Sequence, residues 1–441
     1  MKKTVILIVI AVPALCLCLV AAYFLPPVHD RLAWRLDELA LRVGYALNPP
    51  GKVVFVPQEG ATQTQAPVES TPVPPVTVTL AATPSATIPP SPAGPTDAPL
   101  PSLTPLPSST PPPGEVTLQG VRYEDQHGRY NYCAPANLAM ALSFWGWRGN
   151  RDVVGPVLKP DAKDKNVMPY EMADYVEEYT DLKVVERVGG DLDLLKRFLA
   201  AGFPVLVEKG VYFRDLTGVV SWMGHYQVLT GYSDPGEYFI AQDAFVKPDL
   251  PVSYTEMPGG WRAFNYTYLV IYSTEREAEV MTLLGPDADE TANYQNAALK
   301  ASNEIYGLSG IDQYFAWFNR GTNLAALQDY AGAGTAYDEA FKVYPTIPEA
   351  ERPWRMLWYQ TGPYKAFFYS QRYYDTLYLA DSTLNAMQGE KNLEESYYWR
   401  GMARAALGDT ASAIQDFRSA LQYHAGFEPA IYQLRLLGVE P

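Results

Sequence analysis

The chain has 441 residues, of which 48% are hydrophobic, and a formal net charge of −15. This length is enough for two or three domains. The chain contains no basic stripe, which argues against nucleic acid as a partner. Of the three cysteines, Cys16 and Cys18 lie in the apolar N-terminal run. Only Cys133 remains in the rest of the chain, which excludes an intramolecular disulfide framework there.

The N-terminus has the pattern of a membrane span. Two lysines precede an uncharged apolar run from Thr4 to Leu25, about the 20 residues that a helix needs to cross the hydrocarbon core. The run ends in aromatic residues and prolines, which is poor for signal cleavage. Residues 1–27 are therefore predicted to be an uncleaved signal anchor, with cleavage near Ala22 as the alternative. The lysines then stay in the cytoplasm and the following domains lie outside a single-pass cell membrane.

Two segments separate this span from the first globular region. Residues 28–48 place apolar residues at helical spacing, which predicts an amphipathic juxtamembrane helix or a plain extension of the span. Residues 49–114 are rich in Pro, Thr and Ser and contain only four charged residues. A segment of this composition cannot bury a core and favours extended conformers. It is predicted to be a disordered stalk that holds the next domain away from the membrane.

Residues 115–275 are predicted to form an α+β domain, in which a helix-rich half precedes a strand-rich half. The predicted helices run from just after Cys133 to Trp147, over 168–179 and over 192–201. The predicted strands cover 203–208, 224–232, 237–242 and 266–272.

Residues 285–441 change to helical periodicity with an internal repeat. The first copy consists of Trp317, Gly321, Leu324, Ala333, Tyr337, Ala340 and Pro345. Gly401, Ala413, Phe417 and Ala420 restate its Gly, Ala, aromatic and Ala positions 80 residues later, and 364–380 is a degenerate copy. This region resembles the tetratricopeptide-repeat proteins, which bind peptides and partner proteins. An all-α solenoid capped by a final helix over Pro429 to Leu437 is expected.

Cys133 has the setting of a reactive thiol. Pro135 stands where the first turn of a helix tolerates proline, so Cys133 is expected at a helix N-terminus. Unpaired N–H groups and the helix dipole favour an anion there. Such surroundings lower a thiol pKa from about 8.5 and make the thiolate available at neutral pH. If Cys133 has no catalytic partners, the alternative is that it is an inert, buried cysteine that packs like a small apolar residue.

A thiolate needs a base, and three histidines lie beyond the predicted span and juxtamembrane helix. His225 opens an apolar strand that would hold it rigidly, whereas His127 is expected in an exposed loop and His424 in the repeats. Asp243 ends the next strand, where it would orient the imidazole through its second nitrogen, or cap a turn instead. Gln126, seven residues before Cys133, is a candidate oxyanion donor. Asn131 and Asn137 are assigned to a turn and a helix face.

Residues 121–272 resemble the C39-like cysteine peptidases, a branch of the papain-like fold. The resemblance rests on Gln126, on Tyr-Cys-Ala-Pro-Ala-Asn-Leu-Ala-Met-Ala-Leu at 132–142, on the segment around His225 and on Asp243-Ala. It implies that Cys133 is the nucleophile, His225 the base, Asp243 its orienter and Gln126 part of the oxyanion hole. Ala134 stands where the family often has glycine, and the spacing from Gln126 to Cys133 is one residue longer than in the bacteriocin-leader peptidases.

These features predict a membrane-anchored, extracytoplasmic cysteine peptidase that acts on a peptide or protein, with repeats that recruit a protein partner. The sequence contains no metal-ligand spacing, phosphate loop or dinucleotide fingerprint, so no cofactor or metal is expected. One alternative is a non-enzymatic binding scaffold, because fold alone does not determine function. Another is acyl transfer or cell-wall peptide hydrolysis by the same thiol, which differs only in the acceptor.

Overall fold

The computed structural model describes residues 39, 42–47, 54–57, 112–214 and 219–441. These residues all belong to one compact unit. Within these ranges no helix is both long and apolar enough to cross a membrane. The predicted signal anchor lies outside the described residues, as does most of the predicted stalk. The described residues 42–47, in the predicted juxtamembrane segment, are helical.

One antiparallel sheet of seven strands organises the N-terminal part of this unit. The strand order is β2-β7-β3-β4-β5-β6, and β1 pairs with β4. The strands are β1 Glu115–Thr117, β2 Leu182–Arg187, β3 Val205–Arg214, β4 Val220–Ser233, β5 Tyr238–Asp243, β6 Lys247–Ser253 and β7 Tyr268–Ser273.

Helices cover both faces of the sheet. They are α1 Cys133–Phe144, α2 Arg151–Leu158, α3 Pro169–Tyr179, α4 Leu192–Ala200, α5 Met257–Arg262 and α6 Glu277–Leu284. Successive strand residues point to opposite faces. Leu206 and Val228 therefore pack with α1, α2 and α3, whereas Val205 and Leu229 pack with α4 and α6. Because both faces are buried, the central strands have continuous apolar sequences instead of an alternating pattern.

The C-terminal part is helical. It consists of α7 Glu290–Ile305, α8 Gly310–Ala326, α9 Tyr330–Val343, α10 Met356–Tyr359, α11 Gly362–Tyr369, α12 Tyr373–Ala386, α13 Glu394–Ala406, α14 Thr410–Tyr423 and α15 Glu428–Leu436. The architecture fits the predicted papain-like α+β domain followed by a helical region.

Glycines allow two of the helix pairs to pack closely. A Cβ atom at Gly321 in α8 would lie 2.8 Å from the ring of Tyr337 in α9. A Cβ atom at Gly401 in α13 would lie 2.7 Å from the ring of Phe417 in α14. Real Cβ contacts are essentially never this short, so each aromatic ring occupies space that only glycine leaves open. The same contact thus recurs 80 residues apart.

The helical region braces the strand that carries His225. The ring of Trp222, in β4, stacks on Phe264 with 5.7 Å between ring centroids. Tyr359 of α10 contacts both rings, at 6.0 and 5.6 Å. Nη1 of Arg355 donates to the backbone oxygen of Trp222 at 3.0 Å. The sheet and the helices therefore share a buried aromatic cluster.

Two N-terminal segments also pack on the helical region. The ring of Tyr45 lies 5.7 Å from that of Trp354. Farther along the chain, the ring of Phe55 lies 5.0 Å from Phe341 and 6.1 Å from Phe367. Residues that precede position 58 therefore belong to the same compact unit as residues that follow position 111.

Candidate active site

Cys133 is the first residue of α1, where the sequence predicted a helix to begin. Pro135 lies in the first turn, and Ala134 to Ser143 are buried against the sheet. The thiol is free and partly buried. The helix N-terminus therefore presents Cys133 at the edge of the core, with the positive end of the helix dipole behind it.

His225 and Asp243 meet on neighbouring antiparallel strands. His225, in β4, is 2% exposed, and its Nε2 lies 2.9 Å from Oδ1 of Asp243, the last residue of β5. The same Oδ1 accepts hydrogen bonds from the backbone N–H groups of Phe245 and Val246, at 2.8 and 2.9 Å. Asp243 thus both holds the imidazole and caps the turn after β5, so the two predicted alternatives occur together. Nε2 is occupied, which leaves Nδ1 for the thiol.

The pKa values of these groups shift as in an ion pair. Burial would lower the pKa of His225, but the charge and hydrogen bond of Asp243 and the bond to Cys133 raise it to about 9. Burial raises the pKa of the Cys133 thiol, but the hydrogen bond and charge of His225 lower it by more. For Asp243, His225 and Gln227 outweigh burial and hold its pKa well below the usual range. A thiolate facing an imidazolium is thereby stabilised, and the two titrate as a unit.

Two amide side chains hold this arrangement in place. Nδ2 of Asn137, one turn after Cys133, donates to the backbone oxygens of Cys133 and Tyr226, both at 2.9 Å. It therefore ties the helix of the cysteine to the strand of the histidine. Nε2 of Gln227 donates to Oδ2 of Asp243 at 2.5 Å. The sequence alone assigns Asn137 only to a helix face and does not distinguish Gln227 from its neighbours. Their spacing could have indicated both residues. Asn137 lies four positions after Cys133 and so on the same helix face, and Gln227 lies two positions after His225 and so on the same face of the strand.

Lys159 secures the loop that leads into α1. Its Nζ donates to the backbone oxygens of Tyr130 at 2.6 Å and Asn131 at 3.1 Å. Burial lowers the pKa of Lys159 to about 8. The lysine charge also contributes to lowering the pKa of Cys133. No local sequence pattern identifies this lysine as part of the site.

Gln126 lines the same cavity as Cys133 and His225, which has a volume of about 170 Å³. Its backbone N–H donates to Ala244 at 2.8 Å, which fixes the loop beside Asp243. Its buried Oε1 has no hydrogen-bond partner among the described residues. The amide oxygen and nitrogen positions are assigned from hydrogen-bonding partners, so this amide is available to a ligand in the cavity.

His127 and His424, the other two histidines of the globular part, do not line this cavity. His127 is exposed, as predicted, and stacks on Phe245 with ring centroids 5.3 Å apart. Phe245 in turn stacks on Phe213 at 4.4 Å, and Phe213 meets the edge of the His225 ring at 5.2 Å. These two phenylalanines shield the imidazole from solvent.

The helical region completes the wall of the cavity. Arg355, Trp358, Tyr359 and Gln388 line it together with Tyr45 from the N-terminal helix. Tyr359 also packs against the backbone at Gly224, the residue before His225, where an added Cβ atom would lie 3.0 Å from its ring. The cleft is therefore built from both parts of the compact unit.

Comparison with known proteins finds one family match in this part of the chain. Residues 118–272 match the model of the Peptidase_C39 like family. A similar solved structure from Bacillus anthracis, described as a C39-like peptidase, is 16% identical with a TM-score of 0.30, and the match covers 36% of this chain and 98% of that one. Xylellain, a cysteine protease from Xylella fastidiosa, is 16% identical with a TM-score of 0.27, and the match covers 37% and 87%. None of the curated proteins matches the chain.

Proposed function

We propose that this protein is a cysteine peptidase that hydrolyses peptide or related amide bonds through Cys133, His225 and Asp243. One observation carries the proposal: the thiol of Cys133 faces an imidazole that a buried carboxylate holds, and the pKa values of the thiol and the imidazole shift toward the charged pair. The family match over residues 118–272 supports the same reaction class.

The arrangement supports a two-step reaction. The Cys133 thiolate attacks the carbonyl carbon, and the carbonyl electron pair moves to oxygen. His225 then gives its Nδ1 proton to the amine as the C–N bond breaks, which leaves a thioester. In the second step, neutral His225 takes a proton from water, and the resulting hydroxide displaces the thiolate. Asp243 stays ionised throughout and holds the imidazole through Nε2.

The negative charge on the tetrahedral oxygen needs donors. The side-chain amide of Gln126 is the proposed donor, because it lines the same cavity as Cys133 and its Nε2 carries two N–H groups. Removing one such donor typically lowers kcat by about 10²–10³. Gln126→Ala is therefore expected to lower kcat to that extent, with the rate of thiol alkylation unchanged.

The helical region takes the role of a tetratricopeptide-like recruiting domain in this proposal. The equivalent close contacts at Gly321 and Gly401 support an internal repeat.

The apolar run from Thr4 to Leu25 supports a membrane anchor, with the sheet region and the helical region both outside the cell membrane. Protease treatment of intact cells checks this placement, because an inward-facing protein would be protected.

The test of the peptidase proposal is active-site labelling of the full chain with a thiol-reactive peptide probe, followed by mapping of the labelled residue. We expect labelling at Cys133 at neutral pH, strong reduction of labelling in His225→Ala, and none at this position in Cys133→Ala. His127→Ala is the matched control and should label like the wild type. Turnover is measured on a fluorogenic peptide library. Hydrolysis that survives in Cys133→Ala, or a Cys133 inert to the probe, contradicts the proposal.

A further inference from the structure

A cluster of metal-ligand side chains lies at the junction of the sheet and helical regions, outside the candidate active site. Glu171 belongs to α3, Glu394 is the first residue of α13, and His424 directly follows α14. Each offers one ligand atom, and these three atoms lie within 4.8 Å of one another. Residues more than 200 positions apart in sequence thus converge on one point.

Glu394 contains the atom that most needs a ligand. Its side chain is only 4% exposed. Oε1 lies 2.9 Å from Nδ1 of His424. This is a little closer than the roughly 3.3 Å between two ligands of a tetrahedral zinc ion, so a small separation of the two atoms would admit the ion. Oε2 is buried and has no hydrogen-bond partner among the residues that the structure describes. An unpartnered buried carboxylate oxygen is costly, because it has lost its water without gaining a donor.

The surroundings add further buried carboxyl groups. Asp164 and Glu395 are buried as well, and both lie close enough to interact electrostatically with Glu394. Two nearby cations, Lys159 and Lys165, act on Asp164. Nζ of Lys159 is already bound to the backbone oxygens before Cys133, and Nζ of Lys165 donates to the hydroxyl of Tyr130. Carboxyl groups buried this close together repel one another when they are ionised, and a bound cation would relieve that repulsion. Glu171 and His424 remain partly exposed, so an ion has a path from solvent.

We propose that Glu171, Glu394 and His424 bind one divalent transition-metal ion, with zinc favoured. Carboxylate oxygens with an imidazole nitrogen are ligands that zinc accepts, whereas calcium and magnesium prefer oxygen alone. The ion ties α3 of the sheet region to α13 and α14. With three protein ligands, the fourth position of a tetrahedral zinc ion is left to water. The site is separate from Cys133, and it does not depend on the proposed peptidase activity.

The test is zinc binding by the full chain, first stripped of metal with a chelator. All thiols are alkylated with iodoacetamide beforehand, so that Cys133 and the N-terminal cysteines cannot bind zinc. Titration calorimetry and metal analysis after dialysis then give affinity and stoichiometry. We expect one zinc ion per chain and a rise in Tm on binding. His424→Gln and Glu171→Gln should weaken binding at least as much as loss of an outer-shell partner does, about 10–100-fold.

Matched controls separate this site from general surface binding. His127→Gln removes an exposed histidine, and Glu177→Gln removes an exposed carboxylate from the same helix as Glu171. Both controls should bind zinc like the wild type. In Glu171→Gln, the new amide oxygen can still accept the bond from the backbone of Met168 that caps α3, so this variant serves if His424→Gln fails to fold. Absence of saturable zinc binding, or unchanged affinity in Glu171→Gln, overturns the proposal.

Discussion

The opposite pKa shifts of Cys133 and His225 predict an unusual pH dependence of thiol reactivity. Because the thiol pKa is lowered, alkylation by iodoacetamide should stay fast well below the pKa of a free thiol, about 8.5. His225→Ala should move the midpoint of the alkylation profile upward. Peptide hydrolysis needs the imidazolium, so kcat/KM should fall on the alkaline side near pH 9. An alkylation midpoint at the free-thiol value in the wild type would contradict the ion pair.

The same histidine links stability to pH. Its pKa in the folded protein is raised from 6.5 to about 9. Its contribution to the free energy of unfolding is therefore fully present below pH 6.5 and is lost as pH rises through about 9. Urea unfolding between pH 6 and pH 10 should show this decrease. His225→Ala should flatten it, whereas His127→Ala, which alters an exposed ring, should not.

Asn137 is expected to affect both stability and reactivity. Asn137→Ala leaves the buried backbone oxygen of Tyr226 without its donor, which costs about 1–3 kcal/mol. The thiol should also alkylate more slowly at neutral pH, because α1 loses its link to β4. Asn303→Ala, on an exposed position of α7, is the control and should change neither value. Urea unfolding and alkylation rates measure the two effects separately.

The sequence predicted the residues of the site whose signals are local. Pro135, two positions after Cys133, indicates that a helix starts at the cysteine. The apolar residues that follow His225 indicate a strand. Asn137 and Gln227 were harder to predict, because their partners come close only in the folded chain. Asn137 meets the backbone oxygen of Tyr226 where α1 packs on β4. Gln227 meets Asp243 through the antiparallel register of β4 and β5. A polar side chain in an apolar segment shows that a partner exists, but it does not show which one.

At the scale of elements, the packing of α10 on β4 predicts an effect of Gly224→Ala. The added Cβ atom would lie 2.7 Å from the ring of Phe264 and 3.0 Å from that of Tyr359, so one of them must move. Overpacking of this kind costs about 1–3 kcal/mol, and it should displace the neighbouring His225 and slow alkylation of Cys133. Gly259→Ala, where the Cβ atom meets nothing within 4 Å, is the matched control. Equal behaviour of the two variants would contradict the bracing role.

The helix pairs predict opposite signs for two similar substitutions. Gly321→Ala places a Cβ atom 2.8 Å from Tyr337 and should destabilise the protein by about 1–3 kcal/mol. Gly334→Ala lies inside α9, with its nearest atom at an ordinary 3.5 Å. It should stabilise the protein by about 0.5–1 kcal/mol, since alanine loses less conformational freedom than glycine in a helix. Thermal unfolding of both variants checks the signs.

Element predictions succeeded where a strong local pattern existed, but α2, α5, α6, β1, β2 and β6 were not predicted. In α2 and β6, glycine or proline interrupts the pattern. The helices α1, α3 and α4 begin within a residue or two of their predicted starts. The helix α2 was not predicted, because Gly155 and Pro156 lie within it, although the Asn150 side chain caps its N-terminus. The strand β6 contains two prolines, which cannot donate to a ladder. Its position at the edge of the sheet explains why they are tolerated.

At the scale of the whole molecule, the shared aromatic cluster predicts that the sheet region does not fold well alone. Removal of residues 285–441 would expose Trp222 and Phe264, each 2% exposed in the full chain. Exposing a large apolar side chain costs about 1.5–3 kcal/mol, against a typical total stability of about 5–15 kcal/mol. We expect the truncated protein to unfold at a markedly lower temperature. A fragment that melts cooperatively near the full-length Tm and alkylates normally would contradict this.

The contacts of Tyr45 and Phe55 with the helical region hold residues from before position 58 against residues that follow position 111. Pro57 and Pro112 therefore belong to the same compact unit. A change in the length of the chain between them should cost little, since each doubling adds only about 0.6 kcal/mol of closure entropy. A proteolytic cut in that part of the sequence would leave Tyr45 and Phe55 held to the helical region by their ring contacts alone.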